Sequence, residues 1–81
     1  MNIVFYGGGN IAQAFIEGLI NSGYKKNNIF YIDRNLKNKN KLKKLKIKSL
    51  NNKESLQIDL FILAVKPKDA IHAYKDILKN Y

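Results

Sequence analysis

The chain of 81 residues contains no cysteine, and it has only one proline, one histidine and one arginine. Without cysteine there can be no disulfide framework, no thiolate metal site and no cysteine nucleophile. The lone His72 follows Ile71 in an apolar-periodic segment, and no carboxylate or serine is spaced to make it a general base. We therefore expect His72 to be a packing or surface residue, and we predict no catalytic side chain and no metal site.

Long apolar runs and a leader-like N-terminus are also missing. No apolar stretch reaches the length of a membrane span, and no charged segment precedes an apolar core at the N-terminus. These absences predict a cytoplasmic protein without a membrane partner. The hydrophobic content of 46% nevertheless favours a folded domain over a disordered chain. At this length the folded chain buries only about 60–65% of its unfolded surface, so its core is thin.

Acidic residues are scarce, which leaves a net charge of +9. A basic excess can indicate nucleic-acid binding. Such proteins usually read bases through arginine and stack them on exposed aromatic rings, whereas this chain has one arginine and most of its aromatics fall inside apolar runs. We predict no nucleic-acid role. The lysines between Lys37 and Lys48 are interpreted as a solvated helix face, or alternatively as a positive field that attracts an anionic ligand.

Apolar periodicity divides the chain into alternating strands and helices. Strands are predicted at Ile3–Tyr6, Ile29–Ile32, Ile47–Leu50 and Leu60–Val65, and helices at 10–22, 36–45 and from Pro67 onward. Right-handed crossovers then give a parallel sheet ordered 3-2-1-4. This is an α/β, Rossmann-type doubly wound fold, truncated before a fifth strand, so residues 1–81 are predicted to be an incomplete domain. We expect another segment or chain to cover the apolar fourth strand, since such edges are rarely left unpaired.

A glycine-rich turn separates the first strand from the first helix. Its pattern, Gly7-x-Gly9-x-x-Ala12, is the Ala variant of the G-x-G-x-x-G/A dinucleotide fingerprint. In that motif the first glycine permits a tight turn, the second lets a pyrophosphate approach the backbone, and the third small residue lets the helix pack on the strand. The free N–H groups and positive dipole end of the helix favour phosphate. The segment therefore predicts a dinucleotide site.

Charged residues of both signs follow the second strand. Asp33 stands where an acidic residue accepts hydrogen bonds from the adenosine ribose, which favours NAD. Arg34 follows at once, and a guanidinium can stack on adenine or pair with a 2′-phosphate, which favours NADP. The cofactor is therefore predicted to be NADP(H) or NAD(H), with a slight lean to NADP.

The fourth strand ends in Ala64-Val65-Lys66-Pro67. Ligands of open α/β sheets bind at the carboxyl ends of the strands, beside the switch point between the first and fourth strands. We therefore expect this segment to lie next to the glycine loop and its backbone to line the nicotinamide ribose. The Lys66 side chain is expected to face either phosphate or solvent.

Five segments together resemble one enzyme family. Val4–Ala12 is similar to the opening of pyrroline-5-carboxylate reductases, whose usual form reads G-x-G-N-M-A, and Leu63–Pro67 is similar to their A-V-K-P signature. Gly18–Gly23, Asp33–Asn35 and Asn52–Glu54 match in the same order. The resemblance covers essentially the whole chain.

This resemblance implies NADPH or NADH as cofactor and hydride transfer to the C=N bond of 1-pyrroline-5-carboxylate, which yields L-proline. Carried onto matching positions, the family's contacts are Tyr6, Gly7, Gly8, Gly9, Asn10 and Ile11 at the pyrophosphate, Asp33, Arg34 and Asn35 around the adenosine ribose with Asn52 beside it, and Ala64, Val65, Lys66 and Pro67 at the nicotinamide ribose. Gly8 replaces an alanine or cysteine and is expected to loosen the loop. Asp33 fits a 2′-phosphate poorly.

The family's substrate pocket lies largely in a helical C-terminal dimerisation domain, and nothing in this sequence matches it. We expect the chain alone not to catalyse the reaction, the imine to bind only with that domain, and the full-length family to form homo-oligomers. Two alternatives stay open. One is a related enzyme, such as a hydroxyacid dehydrogenase or a deazaflavin-dependent reductase. The other is a non-catalytic module that senses NAD(P), mediates an interaction or is an inactive remnant.

Overall fold

The computed structural model describes residues 1–50 and 57–81, which form a four-stranded sheet with helices on both faces. The elements are β1 (Ile3–Tyr6), α1 (Asn10–Asn21), β2 (Ile29–Ile32), α2 (Leu36–Lys44), β3 (Lys48–Ser49), β4 (Leu60–Leu63) and α3 (Ala70–Asn80). Short 3-10 turns precede β2 and α3, at Lys26–Asn28 and Pro67–Asp69. No helix among the described residues is long and apolar enough to cross a membrane.

The sheet is parallel and its strands lie in the order β3-β2-β1-β4. Ile3 of β1 pairs with Ile29 on one side and with Leu60 on the other, so β1 is flanked along its whole length. The predicted Rossmann-type α/β fold and its 3-2-1-4 order are confirmed. Two predicted boundaries were too generous, because β3 has only two residues and β4 ends at Leu63 rather than Val65.

The last helix also begins later than predicted. Pro67 opens the 3-10 turn rather than the α-helix, which starts at Ala70. A proline suits either first turn, because its missing N–H would have no partner in either one.

The main core lies between the sheet and the helices α1 and α2. Phe5 at the centre of β1, Ile16 of α1 and Leu42 of α2 are completely buried there. The amphipathic pattern of α1 accounts for this packing, since Ala12 and Ile16 share one face one turn apart. Phe15 follows the same helical period in the sequence, but it is 51% exposed and touches the Phe5 ring edge-on.

The C-terminal end of α1 has the geometry that its sequence predicts. Gly23 adopts φ 98°, and its N–H donates to the Ile20 carbonyl at 3.0 Å while the Tyr24 N–H donates to the Leu19 carbonyl at 2.9 Å. These two bonds make a Schellman cap, which favours glycine because its left-handed φ strains other residues. Gly23 therefore terminates α1.

The second face of the sheet carries a thinner core. Val4 and Phe30 are buried there with Leu50. Helix α3 lies on this side, since Tyr6, which shares the face of Val4, bonds to a side chain of α3. Only Ala73 of α3 is buried.

The apolar side chains of α3 pack only in part: Ile71, Tyr74 and Leu78 are 56–67% exposed, whereas Ala70 and Ile77 are partly buried. The more buried side of α3 contains Ala73, with Asp76 and Ile77 partly buried. Within the described strands β4 is an edge, as predicted, and its Leu60 and Leu63 are 43% and 40% exposed.

Two leucines on α2 provide a direct test of the main core. Leu42 is completely buried, whereas Leu36 on the same helix is 70% exposed. Leu42→Ala should lower the free energy of unfolding by about 2–5 kcal/mol through lost burial and a residual cavity. Leu36→Ala should change it by less than about 0.5 kcal/mol. Urea unfolding followed by circular dichroism measures both, and equal losses would contradict the packing.

Candidate dinucleotide-binding site

A broad cleft opens at the carboxyl ends of β1, β2 and β4. It is lined by most of the residues that the sequence singles out: Tyr6, Gly7, Gly8, Gly9, Asn10, Ile11, Asp33, Arg34, Ala64, Val65, Lys66 and Pro67. Asn35 does not line the cleft, and Asn52 lies outside the described residues. The parallel strands bring these separate segments together, because their carboxyl ends share one edge of the sheet.

Gly7 lies where three strands meet. Its N–H donates to the Ile32 carbonyl of β2 at 2.8 Å, and the adjacent Ala64 N–H donates to the Tyr6 carbonyl at 2.8 Å. Gly7 has φ 104°, and a Cβ added to it would lie 2.4 Å from the Ala64 carbonyl oxygen. Only glycine fits this turn without backbone movement.

The loop is tighter at Gly8 than the sequence predicts. Gly8 is buried, and an added Cβ would lie 2.7 Å from Leu42 Cδ1 and 3.1 Å from Asp33 Oδ2. The expectation that glycine loosens the loop here was wrong, because α2 and Asp33 occupy the space that a larger side chain would need. In this chain a glycine lets the loop sit directly against α2.

Gly9 differs from its neighbours because it faces open space. No heavy atom lies within 4 Å of the position that its Cβ would take. Gly9 is the N-cap of α1, and no side chain caps that helix. The N–H groups of the first turn are therefore presented to the cleft beside a free approach to the backbone, which is the arrangement that binds a pyrophosphate.

The carboxylate of Asp33, just beyond β2, accepts hydrogen bonds from other groups of the protein. Oδ2 accepts hydrogen bonds from the Gly8 N–H at 2.7 Å and from Asn38 Nδ2 at 3.0 Å, and Oδ1 accepts one from the Asn35 N–H at 2.8 Å. The glycine loop, β2 and α2 are thus joined through one side chain. Asn38, which the sequence analysis did not single out, also lines the cleft.

The two residues after Asp33 have different surroundings. Arg34 is exposed at the rim of the cleft. The Asn35 side chain instead accepts a hydrogen bond from the Asn38 N–H at 3.0 Å and caps α2. Asparagine is among the preferred residues at an N-cap, so Asn35 has a structural role that accounts for its presence without a cofactor.

Comparison with known proteins agrees with this geometry. The family model described as NADP oxidoreductase, coenzyme F420-dependent, matches residues 2–81. The chain belongs to this family. No curated protein matches the chain. The family is an NAD(P)-binding domain, so NADP(H) or NAD(H) is the cofactor class, and the chain is a nucleotide-binding oxidoreductase module. The open approach at Gly9 and the uncapped N-terminus of α1 fit a dinucleotide.

Helix α3 forms a wall of the cleft that the sequence analysis missed. Asp69, His72, Asp76 and Asn80 line the cleft and recur at helical spacing. His72 was expected to be a packing or surface residue, and it is exposed within the cleft. The polar stripe is visible in the sequence, but its spacing alone does not show that it lines the cleft.

Tyr6 connects this wall to the glycine loop. Its hydroxyl donates a hydrogen bond to Asp76 Oδ2. Burial, reinforced by this bond and by the nearby carboxylate, raises the pKa of Tyr6 to about 12. The same hydrogen bond holds the pKa of Asp76 below its ordinary value, with smaller contributions from Asn80 and the Arg34 charge. The pair therefore favours a neutral tyrosine and an ionised aspartate.

Gly7 and Gly9 form a matched pair for separating loop folding from cofactor binding. Gly7→Ala should lower the free energy of unfolding by more than about 2 kcal/mol, because it combines a left-handed φ with a backbone clash. Gly9→Ala should cost no more than about 1 kcal/mol. It should nevertheless weaken NADPH binding about tenfold or more, since its methyl group fills the open approach. Urea unfolding and calorimetric titration measure the two effects, and an unaffected Kd in Gly9→Ala would contradict the site.

The Tyr6–Asp76 pair predicts a pH-dependent contribution to stability. The raised pKa of Tyr6 gives stabilisation that is complete below its unfolded value of 10.0 and is lost as the pH rises through about 12. The lowered pKa of Asp76 gives stabilisation that is complete above its unfolded value of 3.8 and is lost as the pH falls through its folded value.

Tyr6→Phe should therefore lower the free energy of unfolding by about 1 kcal/mol near neutral pH. Its difference from wild type should shrink toward both extremes of pH. The half-exposed Tyr74 provides the control Tyr74→Phe, for which we expect no such profile. Urea unfolding at several pH values measures the difference, and a deficit in Tyr6→Phe that does not change with pH would contradict the predicted link to ionisation of the pair.

Proposed function

We propose that this chain is the NAD(P)-binding portion of a pyrroline-5-carboxylate reductase, which reduces 1-pyrroline-5-carboxylate to L-proline in proline biosynthesis. The observation that carries the proposal is the open glycine loop at Gly9 beside the Leu63–Pro67 segment, within one cleft. The matched domain is also found in pyrroline-5-carboxylate reductases. The bound nicotinamide would supply a hydride for the C=N bond.

Each segment has a separate part in holding the cofactor. The backbone of Gly7–Ile11 and the N-terminus of α1 bind the pyrophosphate. Arg34, exposed at the rim beyond β2, meets the adenosine ribose and its 2′-phosphate. The backbone of Ala64–Pro67 lines the nicotinamide ribose, because it continues β4 immediately beside the loop.

The imine needs a second structural unit in this proposal. Hydride transfer requires the C=N carbon to be held against the nicotinamide, and the resemblance assigns no residue of this chain to the imine. The resemblance places that pocket in a helical dimerisation domain, so these 81 residues bind cofactor and turn over substrate only together with it, in a homo-oligomer of the cytoplasm. If no such domain accompanies these residues, the proposal reduces to a module that binds the cofactor without catalysing a reaction.

A second candidate reaction is favoured by the description of the matched family. Its name specifies coenzyme F420, a deazaflavin that exchanges hydride with NADP. The same cleft would bind NADP in either reaction. An assay of the protein, with any segment that its gene adds to these residues, separates the two. We expect NADPH oxidation by 1-pyrroline-5-carboxylate; reduction of NADP⁺ by reduced deazaflavin alone would select the second reaction.

Calorimetric titration with NADPH and with NADH tests cofactor binding by the chain itself. Arg34→Ala should weaken NADPH binding about tenfold, because a charge-assisted bond to phosphate is worth about 1.5–3 kcal/mol. Binding of NADH should change less than about twofold, since NADH has no 2′-phosphate. Lys75→Ala removes an exposed positive charge outside the cleft and serves as control. A folded wild-type chain that binds neither dinucleotide would overturn the proposed function.

A further inference from the structure

We propose that Asp33 is a positioning residue that holds the glycine loop rather than a ligand of the cofactor ribose, so that Arg34 rather than Asp33 distinguishes NADP(H) from NAD(H). This inference rests on the proposed cofactor binding. The position of Asp33 in the sequence suggests that it binds the ribose, and the inference gives it a different role. The conflict between Asp33, which would favour NAD, and Arg34, which favours NADP, then disappears.

The Asp33 carboxylate already has three protein donors. Oδ2 accepts from the Gly8 N–H at 2.7 Å and from Asn38 Nδ2 at 3.0 Å, while Oδ1 accepts from the Asn35 N–H at 2.8 Å. An ionised carboxylate offers about four lone-pair positions. A ribose diol bound by both hydroxyls needs two of them, so at most one hydroxyl can be accepted without breaking a bond that the folded chain makes.

Releasing the bond to Gly8 would leave a buried amide without its acceptor. Gly8 is buried against Leu42 and Asp33, and the carboxylate oxygen is the acceptor that its N–H has in the structure. A buried N–H without a partner is strongly unfavourable. Rotation of the carboxylate toward a ribose would thus be opposed by the loop that must bind the pyrophosphate of the same ligand.

The consequence for cofactor choice follows from what the two dinucleotides share. Both dinucleotides have the pyrophosphate that contacts the loop, so loss of the Asp33 side chain should weaken the binding of NADPH and of NADH by similar factors. A carboxylate that bound the ribose diol would behave differently, because its removal would weaken NADH selectively and relieve repulsion of the 2′-phosphate. The ratio of the two dissociation constants therefore distinguishes the roles.

The first test needs no cofactor. Hydrogen exchange of the Gly8 amide is followed by NMR in wild type, Asp33→Ala and Asp33→Asn. We expect exchange about tenfold faster or more in Asp33→Ala, because its acceptor is gone. Asp33→Asn should restore much of the protection, since its carbonyl oxygen can still accept from Gly8. Asn40→Ala, an exposed amide on α2, is the control and should leave Gly8 unchanged.

The second test is the ratio of the Kd for NADH to that for NADPH in the same variants. We expect this ratio to stay within about threefold in Asp33→Ala and to fall about tenfold in Arg34→Ala. Unchanged Gly8 exchange in both Asp33 variants, or selective loss of NADH binding, would overturn the inference. If the wild type binds neither dinucleotide while Gly8 still loses protection, the loop role stands and the proposed function fails. Should Asp33→Ala not fold, the Kd ratio in Asp33→Asn decides, because a change of more than about threefold after loss of the carboxylate charge would overturn the inference.

Discussion

Close backbone contact at the carboxyl ends of β1, β2 and β4 is the constraint on which the site depends. Gly7 bonds to Ile32 of β2, while Ala64 beyond β4 bonds to Tyr6 and its carbonyl oxygen occupies the space that a Cβ on Gly7 would need. A side chain at Gly7 would separate these strands. Their contact turns the chain sharply into α1, and this turn leaves Gly9 and the first turn of α1 open at the edge of the sheet.

Two polar contacts then hold the loop from opposite faces of the sheet. On the side of α2, the Asp33 carboxylate bonds to the Gly8 amide and to Asn38. On the side of α3, Tyr6 bonds to Asp76. The glycines of the loop have no side chains to pack, so these polar bonds supply part of the ordering that side-chain packing supplies elsewhere. Because the core on the α3 side is thin, the Tyr6–Asp76 bond contributes a larger share of the interactions that hold α3 on the sheet.

The parts that local chemistry controls were predicted well. The run Ile3–Tyr6 followed by Gly7 and Gly9 indicates a strand, a turn and a phosphate-facing helix, and Gly23 marks the helix end. Features that depend on distant neighbours were missed. Phe15 matches the helical period of the core yet stays half exposed, and α3 presents its polar stripe to the cleft. Gly8 was expected to loosen the loop, but the loop packs against α2 at this position.

The sequence by itself determined the strand order, the glycine turn and the class of ligand, because each follows from periodicity, glycine conformation and crossover handedness over short stretches of chain. Only the tertiary structure decided which groups remain free to meet that ligand. Asp33 and Arg34 are adjacent in sequence, but the fold places a buried amide and Asn38 against the first and leaves the second exposed. A side chain's available hydrogen-bonding capacity depends on neighbours that folding brings from elsewhere in the chain.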